Sequence, residues 1–174
     1  MPKPLLYCVG GLIKATHLDN QRVDPKFYGP DCRVIPVADY TDGEVGDPEP
    51  TPTPEILKNY AANKRWLTEV GGTVINNLDV ATDESGRMKI NMLYLLSQAD
   101  QQLVSDWKMP DGSFVELGKA EIETLQTGVS GFIEQCFTAE EQARTGIGNG
   151  SITTYDQVDA LFDPLPPRKV ARKK

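Results

Sequence analysis

The stretch PEILKNYAANKRWLTEVGG, from Pro54 to Gly72, predicts the first helix of the chain and organises the rest of the fold. Thr53 precedes it and can accept a hydrogen bond from an early backbone N–H. Pro54 stands at the first helical position, where no donor is missed. Gly71 and Gly72 supply the left-handed conformation that ends a helix. Because both ends are encoded locally, we begin a central domain, residues 54–145, at this helix.

Two β-hairpins are expected in the central domain. The run TVINNLDVAT, residues 73–82, predicts two short strands about Asn76-Asn77, because asparagine tolerates the left-handed backbone of tight turns. Farther on, the strand-like residues 104–109 and 113–117 flank the turn sequence Pro110-Asp111-Gly112. Both runs therefore predict antiparallel strand pairs.

A second helix is expected between the two hairpins. Thr82 or Asp83 can cap its start, and its apolar pattern extends to about Leu103. Apolar residues at three- and four-residue spacing form one face: Met88, Met92, Leu95, Leu96, Ala99 and Leu103. We expect this face to be buried against the first helix or against a sheet.

A third helix is expected after the second hairpin. Its apolar stripe consists of Ile122, Leu125, Val129, Phe132, Ile133 and Cys136. Gly128 and Gly131 lie within it, and because glycine weakens a helix, they predict close packing of another backbone. Thr138-Ala139-Glu140-Glu141 has the form of a capping box, which predicts a kink and a new helix. The run Gly146–Gly150 is expected to end that helix.

Residues 1–40 predict a small β-rich segment before the central domain. Three strand-like runs, Leu5–Val9, Leu12–Thr16 and Arg33–Val37, are separated by turn formers. The segment has too little apolar surface to be stable alone, so we expect it to dock on a neighbouring protein. The expected partner-binding side chains are Leu5, Tyr7 and Val9.

The remaining segments predict a linker and a basic tail. Residues 41–53, rich in proline and threonine, are expected to form a semi-rigid polyproline spacer. In residues 146–174, Thr153 or Thr154 can cap a short helix that continues to Phe162. The basic tail beyond it is expected to bind an acidic surface through Arg168, Lys169, Arg172, Lys173 and Lys174. The predicted class is α+β: a small helical domain with β-hairpins, preceded by a β-rich segment and followed by a short helix and this tail.

Charge and hydropathy restrict the classes of function. The 174 residues carry a formal net charge of -7, so the protein is expected to be repelled by nucleic acid and by anionic membranes. No apolar run approaches the roughly 20 residues of a transmembrane helix, and a signal-peptide pattern is not expected in the first residues. We therefore expect synthesis in a cytoplasm and partners that are proteins, with no nucleic acid and no membrane.

Catalytic, cofactor and metal sites are not expected. His17 is the sole histidine, and no nucleophile motif surrounds a serine or a cysteine. We therefore interpret His17 as a surface or turn residue. The run Gly146–Gly150 follows a helix and lacks the frame of a phosphate loop. Acidic pairs such as Glu140-Glu141 lie near helix N-termini, where negative charge complements the helix dipole. The sequence therefore favours a non-enzymatic protein.

The central region also carries an ordered set of short motifs. They are Tyr60-Ala61-Ala62 with Lys64-Arg65, Glu69-x-Gly71-Gly72, Val80-Ala81-Thr82-Asp83, Trp107-Lys108, Asp111-Gly112-Ser113-Phe114-Val115-Glu116-Leu117 and Phe137. In this order the region, about residues 54–137, resembles a domain-of-unknown-function family that recurs in tail-fibre and other tail-associated proteins of tailed bacteriophages. The first helix is also similar to that of tail-fibre assembly proteins. The resemblance implies no enzyme activity and no cofactor.

The resemblance implies a structural or adaptor component of a phage virion, in the tail, neck or fibre-attachment region. Its partners would be other tail or neck proteins and copies of itself, in a homo-oligomer or another symmetric assembly. The chain lacks the repetitive β-rich shaft of a full fibre, so receptor binding is not expected. The alternative is a tail-fibre assembly chaperone that is absent from the finished particle.

The three cysteines allow two interpretations. Cys8, Cys32 and Cys136 have neither CxxC nor metal-ligand spacing, and an odd number leaves one over. The first interpretation is that they are small buried hydrophobic residues in a reducing compartment. The second is a disulfide to another chain, formed when a particle leaves the cell, with Cys8 and Cys32 as the expected residues.

Overall fold

The structure is a computed structural model that describes residues 3–29, 31–38, 43–109 and 112–165. These residues form an α+β fold with seven strands, four α-helices and two single 3₁₀ turns. The predicted fold class is therefore confirmed.

The chain divides into two compact units. The first contains the described residues up to Arg65 together with Glu140–Leu161, and the second contains Trp66–Ala139 with the described residues that follow Leu161. Residues far apart in sequence thus share a unit, whereas the predicted segments were consecutive pieces of the chain.

The first unit contains a three-stranded antiparallel sheet. Its strands are β1 (Pro4–Val9), β2 (Leu12–Leu18) and β3 (Arg33–Pro36), in the order β2-β1-β3. The unit also contains helix α4 (Tyr155–Asp159), and helix α1 (Pro54–Val70) begins in it. The three strands predicted for the β-rich segment are therefore present.

Strand β1 lies at the centre of this sheet, with both backbone edges paired. Leu5, for example, lies opposite His17 on β2 and Pro36 on β3. Leu5 and Tyr7 are each 1% exposed, and Val9 is half-buried. The chain itself supplies the strand neighbours that β1 was expected to need, and Leu5 and Tyr7 are buried in it.

The predicted spacer lies against the edge of β2. The Ile13 N–H donates to the carbonyl of Asp47 at 2.8 Å, and its carbonyl accepts from the Gly46 N–H at 2.9 Å. The Glu49 N–H donates to the carbonyl of Gly11 at 2.8 Å. Part of the predicted spacer, residues 46–49, is therefore held on β2, because an open strand edge offers partners for its backbone polar groups.

The second unit combines two hairpins with helical segments. The elements are β4 (Thr73–Ile75), β5 (Leu78–Val80), α2 (Glu84–Ala99), β6 (Ser105–Lys108), β7 (Phe114–Leu117) and the first part of α3 (Lys119–Asn149). Six buried apolar side chains form its core: Val80, Ile90, Leu117, Ile122, Leu125 and Val129. The core thus draws on both hairpins and both helices.

Both predicted hairpins are confirmed. Asn76 has a φ of 48° and Asn77 a φ of 65°, the left-handed pair that a two-residue hairpin turn requires. In the second hairpin, Trp107 lies opposite Val115. Residues 110 and 111 of its turn lie outside the described residues.

The predicted ends of α1 and the start of α4 are also confirmed. Thr53 Oγ1 accepts a hydrogen bond from the Ile56 N–H at 3.2 Å, and Gly72 has a φ of 87° beyond the end of α1. Thr154 caps α4, with Gln157 completing a capping box. These signals succeed because each depends on neighbours within four residues.

Helix α3 is continuous over 31 residues, so the prediction that a new helix begins at Thr138-Ala139-Glu140-Glu141 is wrong. The buried stripe does not stop at that point, since Cys136, Ala139 and Ala143 are all buried. Continued burial of one face therefore outweighs the local capping signal. The run Gly146–Gly150 ends the helix as predicted, because α3 stops at Asn149 and Gly150 has a left-handed φ of 78°.

The two glycines in the first part of α3 have different surroundings. A methyl group at Gly128 would lie 2.8 Å from the Ile75 side chain, so a side chain packs there and not the predicted backbone. A methyl group at Gly131 would meet nothing within 4 Å. Gly131 is therefore a helical glycine that no neighbour requires.

We expect Gly131→Ala to raise the free energy of unfolding by about 0.5–1 kcal/mol, because alanine is the better helix former. Gly86→Ala in α2 carries the same propensity gain, but its methyl group would overlap the carbonyl oxygen of Ala81. We expect a net loss of about 1–3 kcal/mol there. Urea titration measures both changes, and shifts of the same sign would contradict the packing described.

Candidate functional site

Helix α2 is fixed by contacts at its N-terminus and on its inward side. The carboxylate of Asp83 accepts a hydrogen bond from the Gly86 N–H at 2.7 Å, which makes Asp83 the cap. One turn along, Arg87 Nη1 lies 2.6 Å from Glu69 Oε1 at the end of α1. These contacts determine which side of α2 faces the rest of the unit.

The inward side of α2 is formed by residues at three- and four-residue spacing. Gly86, Ile90 and Ser97 are buried, and the half-buried Leu93 packs against the core. Because it contains a glycine and a serine, this stripe looks less apolar in the sequence than the stripe on the opposite side of the helix.

The opposite side of α2 is a row of exposed apolar side chains. Met88 is 64% exposed, Met92 55%, Leu95 60% and Leu96 49%. We call these four residues the α2 face. The prediction that they are buried is wrong, because the helix carries two apolar stripes and only the other one packs inward. Together they leave on the order of 400 Å² of apolar surface in water, a size that on a monomer often marks an interaction site.

A groove continues the α2 face toward the second hairpin. It has a volume of about 480 Å³ and its apolar lining includes Met92, Leu93, Trp107 and Met109. Its charged lining residues are Asp79, Asp83, Lys89, Asp106 and Lys108. Three acidic and two basic groups line it, so its charges are mixed in sign. The arrangement suits the apolar side chains of a protein partner.

A cluster of charged side chains in the first unit surrounds Arg33 of β3. Its guanidinium lies 3.1 Å from Glu49 and 3.2 Å from Asp159, and it also pairs with Asp156. Lys64 Nζ contacts the other oxygen of Asp159 at 2.8 Å. The cluster therefore ties β3 and the segment before α1 to α4.

Tyr60 completes this cluster. Its hydroxyl donates to Asp159 Oδ1 at 2.6 Å, and its ring is 1% exposed. Burial, and then the charge of Asp159, hold the pKa of the Tyr60 phenol well above its usual range. The phenol thus remains a neutral donor, which is the role of a structural hydrogen bond.

His17 is not the surface or turn residue that the sequence favoured. It lies on β2, half-buried, with Nε2 2.8 Å from the Tyr28 hydroxyl and its ring edge-on to Tyr7 at 5.1 Å. It belongs to an aromatic cluster of the first unit.

The predicted disulfide residues differ in their access to a partner. Cys8 is 1% exposed, and burial raises the pKa of its thiol to about 12. Cys32 is half-buried, and burial raises the pKa of its thiol as well. The thiolate is the reactive form, so neither cysteine is placed for ready exchange with another chain. The predicted tail contacts, Arg168 to Lys174, lie outside the described residues.

The described ranges, residues 3–29, 31–38, 43–109 and 112–165, lack two features. They contain no group of three His, Cys, Asp or Glu side chains arranged to hold a metal ion. They also contain no helix long and apolar enough to cross a membrane.

The chain belongs to the DUF4376 family, a domain of unknown function, whose model matches residues 52–162. The match covers more than half of the chain and runs from just before α1 to just beyond α4, so it includes the α2 face. No curated protein and no solved structure matches the chain. The predicted relation to phage tail proteins stays a prediction.

Proposed function

We propose that this protein is a non-enzymatic structural or adaptor component of a tailed-bacteriophage virion, in the tail, neck or fibre-attachment region. It acts through contacts with other proteins. The observation that carries the proposal is the α2 face, since four large apolar side chains in a row remain about half to two-thirds exposed. Burying one such side chain is worth about 1.5–3 kcal/mol, so a protein partner would gain substantially by covering them.

The phage part of the proposal is supported by the order of motifs along the central region. The Tyr60-Ala61-Ala62 and Lys64-Arg65 pattern lies on α1, and Trp107-Lys108 lies on β6. These motifs fall inside residues 52–162, the region that matches the family. The same region carries the α2 face, so the resemblance and the exposed surface belong to one part of the chain.

A tail-fibre assembly chaperone is the alternative function, and the composition of the α2 face favours it. Two of the four residues are methionines, whose flexible thioether side chains adapt to different partners. A surface of this kind suits transient binding, in which the partner is released once assembly is complete.

Quantitative mass spectrometry of purified particles tests the proposal and separates its two forms. A structural component is retained at a fixed small number of copies relative to the capsid protein. A chaperone is abundant in infected cells and absent from particles after a density gradient. Absence of the chain from both particles and tail-assembly intermediates would contradict a role in the virion and in its assembly.

A further inference from the structure

We infer that the α2 face is a self-association surface, on which the α2 helices of two copies pack antiparallel about a two-fold axis. This inference rests on the proposed function's assignment of the α2 face as a protein-binding surface, and it names the protein that covers that face. The occupant of the face would be a second copy of the same chain. Three observations support that choice.

The first observation is the shape and size of the exposed row. Met88, Met92, Leu95 and Leu96 follow the three- and four-residue spacing by which one helix packs along another. A two-fold interface uses the same patch on both subunits, so the patch must be complementary to itself. Two such patches with their flanking residues bury on the order of 1,000 Å², the lower limit of a specific interface.

The second observation is the charge along one edge of the face. Lys89 and Asp100 are both exposed and lie eleven residues apart. Eleven residues are close to three helical turns, so the backbone of Asp100, the C-cap residue that follows α2, lies along the same edge as Lys89. When two α2 helices run antiparallel, like edges meet and their directions are opposed. Each Lys89 then faces the partner copy's Asp100, whereas in a parallel two-fold pair each edge would meet the opposite edge of the other helix and Lys89 would not meet Asp100.

The third observation is the register that this charge pairing implies. The midpoint between Lys89 and Asp100 falls at Tyr94-Leu95, within the length of the exposed row. An axis at that point also places Asn91 opposite Gln98 on the other edge, and both are exposed. Amide side chains can exchange hydrogen bonds there. One axis thus pairs both polar edges and brings Leu95 and Leu96 of the two copies together at the centre of the contact, and the opposed helix dipoles favour the same direction.

The test uses the purified full-length chain in sedimentation velocity over a concentration series up to about 100 µM. We expect a reversible dimer in the wild type. Leu95→Glu should weaken association at least about tenfold, because a charge would be buried without a partner. Val45→Glu is the matched control, since Val45 is 67% exposed and lies in the other unit. It should associate like the wild type.

Charge-reversal variants form the second part of the experiment. They should change the association only if the charge pairs contribute to it, and not if the dimer is held by apolar contacts alone. Lys89→Glu and Asp100→Lys should each weaken association several-fold at low salt, and the double variant should restore it. Thermal unfolding of each variant shows that the fold is retained. A monomeric wild type at every concentration would overturn the inference. A dimer indifferent to Leu95→Glu would overturn it too, as would a double variant weaker than both single variants.

Discussion

Replacing Tyr60 by alanine is expected to lower the free energy of unfolding by about 4 kcal/mol. The Tyr60 ring is 1% exposed and stands edge-on to the Tyr155 ring, with 5.0 Å between their centroids. Truncation would leave a cavity at the junction of α1 and α4 within the first unit. It would also remove the hydrogen bond to Asp159. Equilibrium denaturation of the purified chain measures the loss.

Tyr60→Phe is the control for this substitution. It keeps the ring and removes only the hydroxyl, and Asp159 keeps its contacts with Arg33 and Lys64. The expected loss is therefore about 1 kcal/mol. If phenylalanine cost as much as alanine, the hydrogen bond and not the packed ring would hold the two helices together.

Replacing Arg33 by alanine is expected to lower the free energy of unfolding by about 2–3 kcal/mol. It would leave the carboxylates of Glu49, Asp156 and Asp159 close together, with Lys64 as the remaining cation of the cluster described. The Arg33 side chain is 25% exposed, so water screens the pairs and the loss falls below that of a fully buried ion pair.

Arg144→Ala provides the matched comparison for Arg33. Arg144 lies 2.7 Å from Glu140, one turn away on α3, but its side chain is 50% exposed. Such a pair contributes about 0.3–0.5 kcal/mol. The ratio of the two losses tests whether the Arg33 cluster anchors α4. Losses of similar size would show that the three acidic partners do not depend on Arg33.

Sequence patterns predicted the helix caps and turns well, but they did not predict which distant segments pack against each other. The cap at Thr53, the turn at Asn76-Asn77 and the box at Thr154 each depend on a few neighbouring residues, and all three are present. The docking of residues 46–49 on β2 depends on an edge that lies more than thirty residues upstream. No local signal in a proline-rich run reports such an edge.

The α2 face shows why the candidate site could not be predicted. Its spacing identified a helix correctly, but two stripes on that helix have the same period, and the one containing Gly86 and Ser97 packs inward. Gly86 is buried because the backbone of Ala81 approaches it closely. A prediction that takes the more apolar of two stripes as the buried one therefore selects the exposed side of this helix.

The ends of the chain were predicted to make the assembly contacts, and the predicted tail residues, Arg168 to Lys174, lie outside the described residues. Leu5 and Tyr7 are core residues of a fully paired strand. The row of four exposed apolar side chains on α2 lies inside the region that matches the family. We therefore propose that partners bind the central region.

The most direct test counts the copies of this protein per purified particle, for the wild type, Leu95→Glu and Val45→Glu, by mass spectrometry against the capsid protein. If the α2 face holds the protein in the virion, Leu95→Glu should reduce the copy number about tenfold or more. Val45→Glu should leave it unchanged, and both variants should unfold at the wild-type temperature. Equal copy numbers for all three proteins would contradict the assignment of the α2 face as the assembly surface.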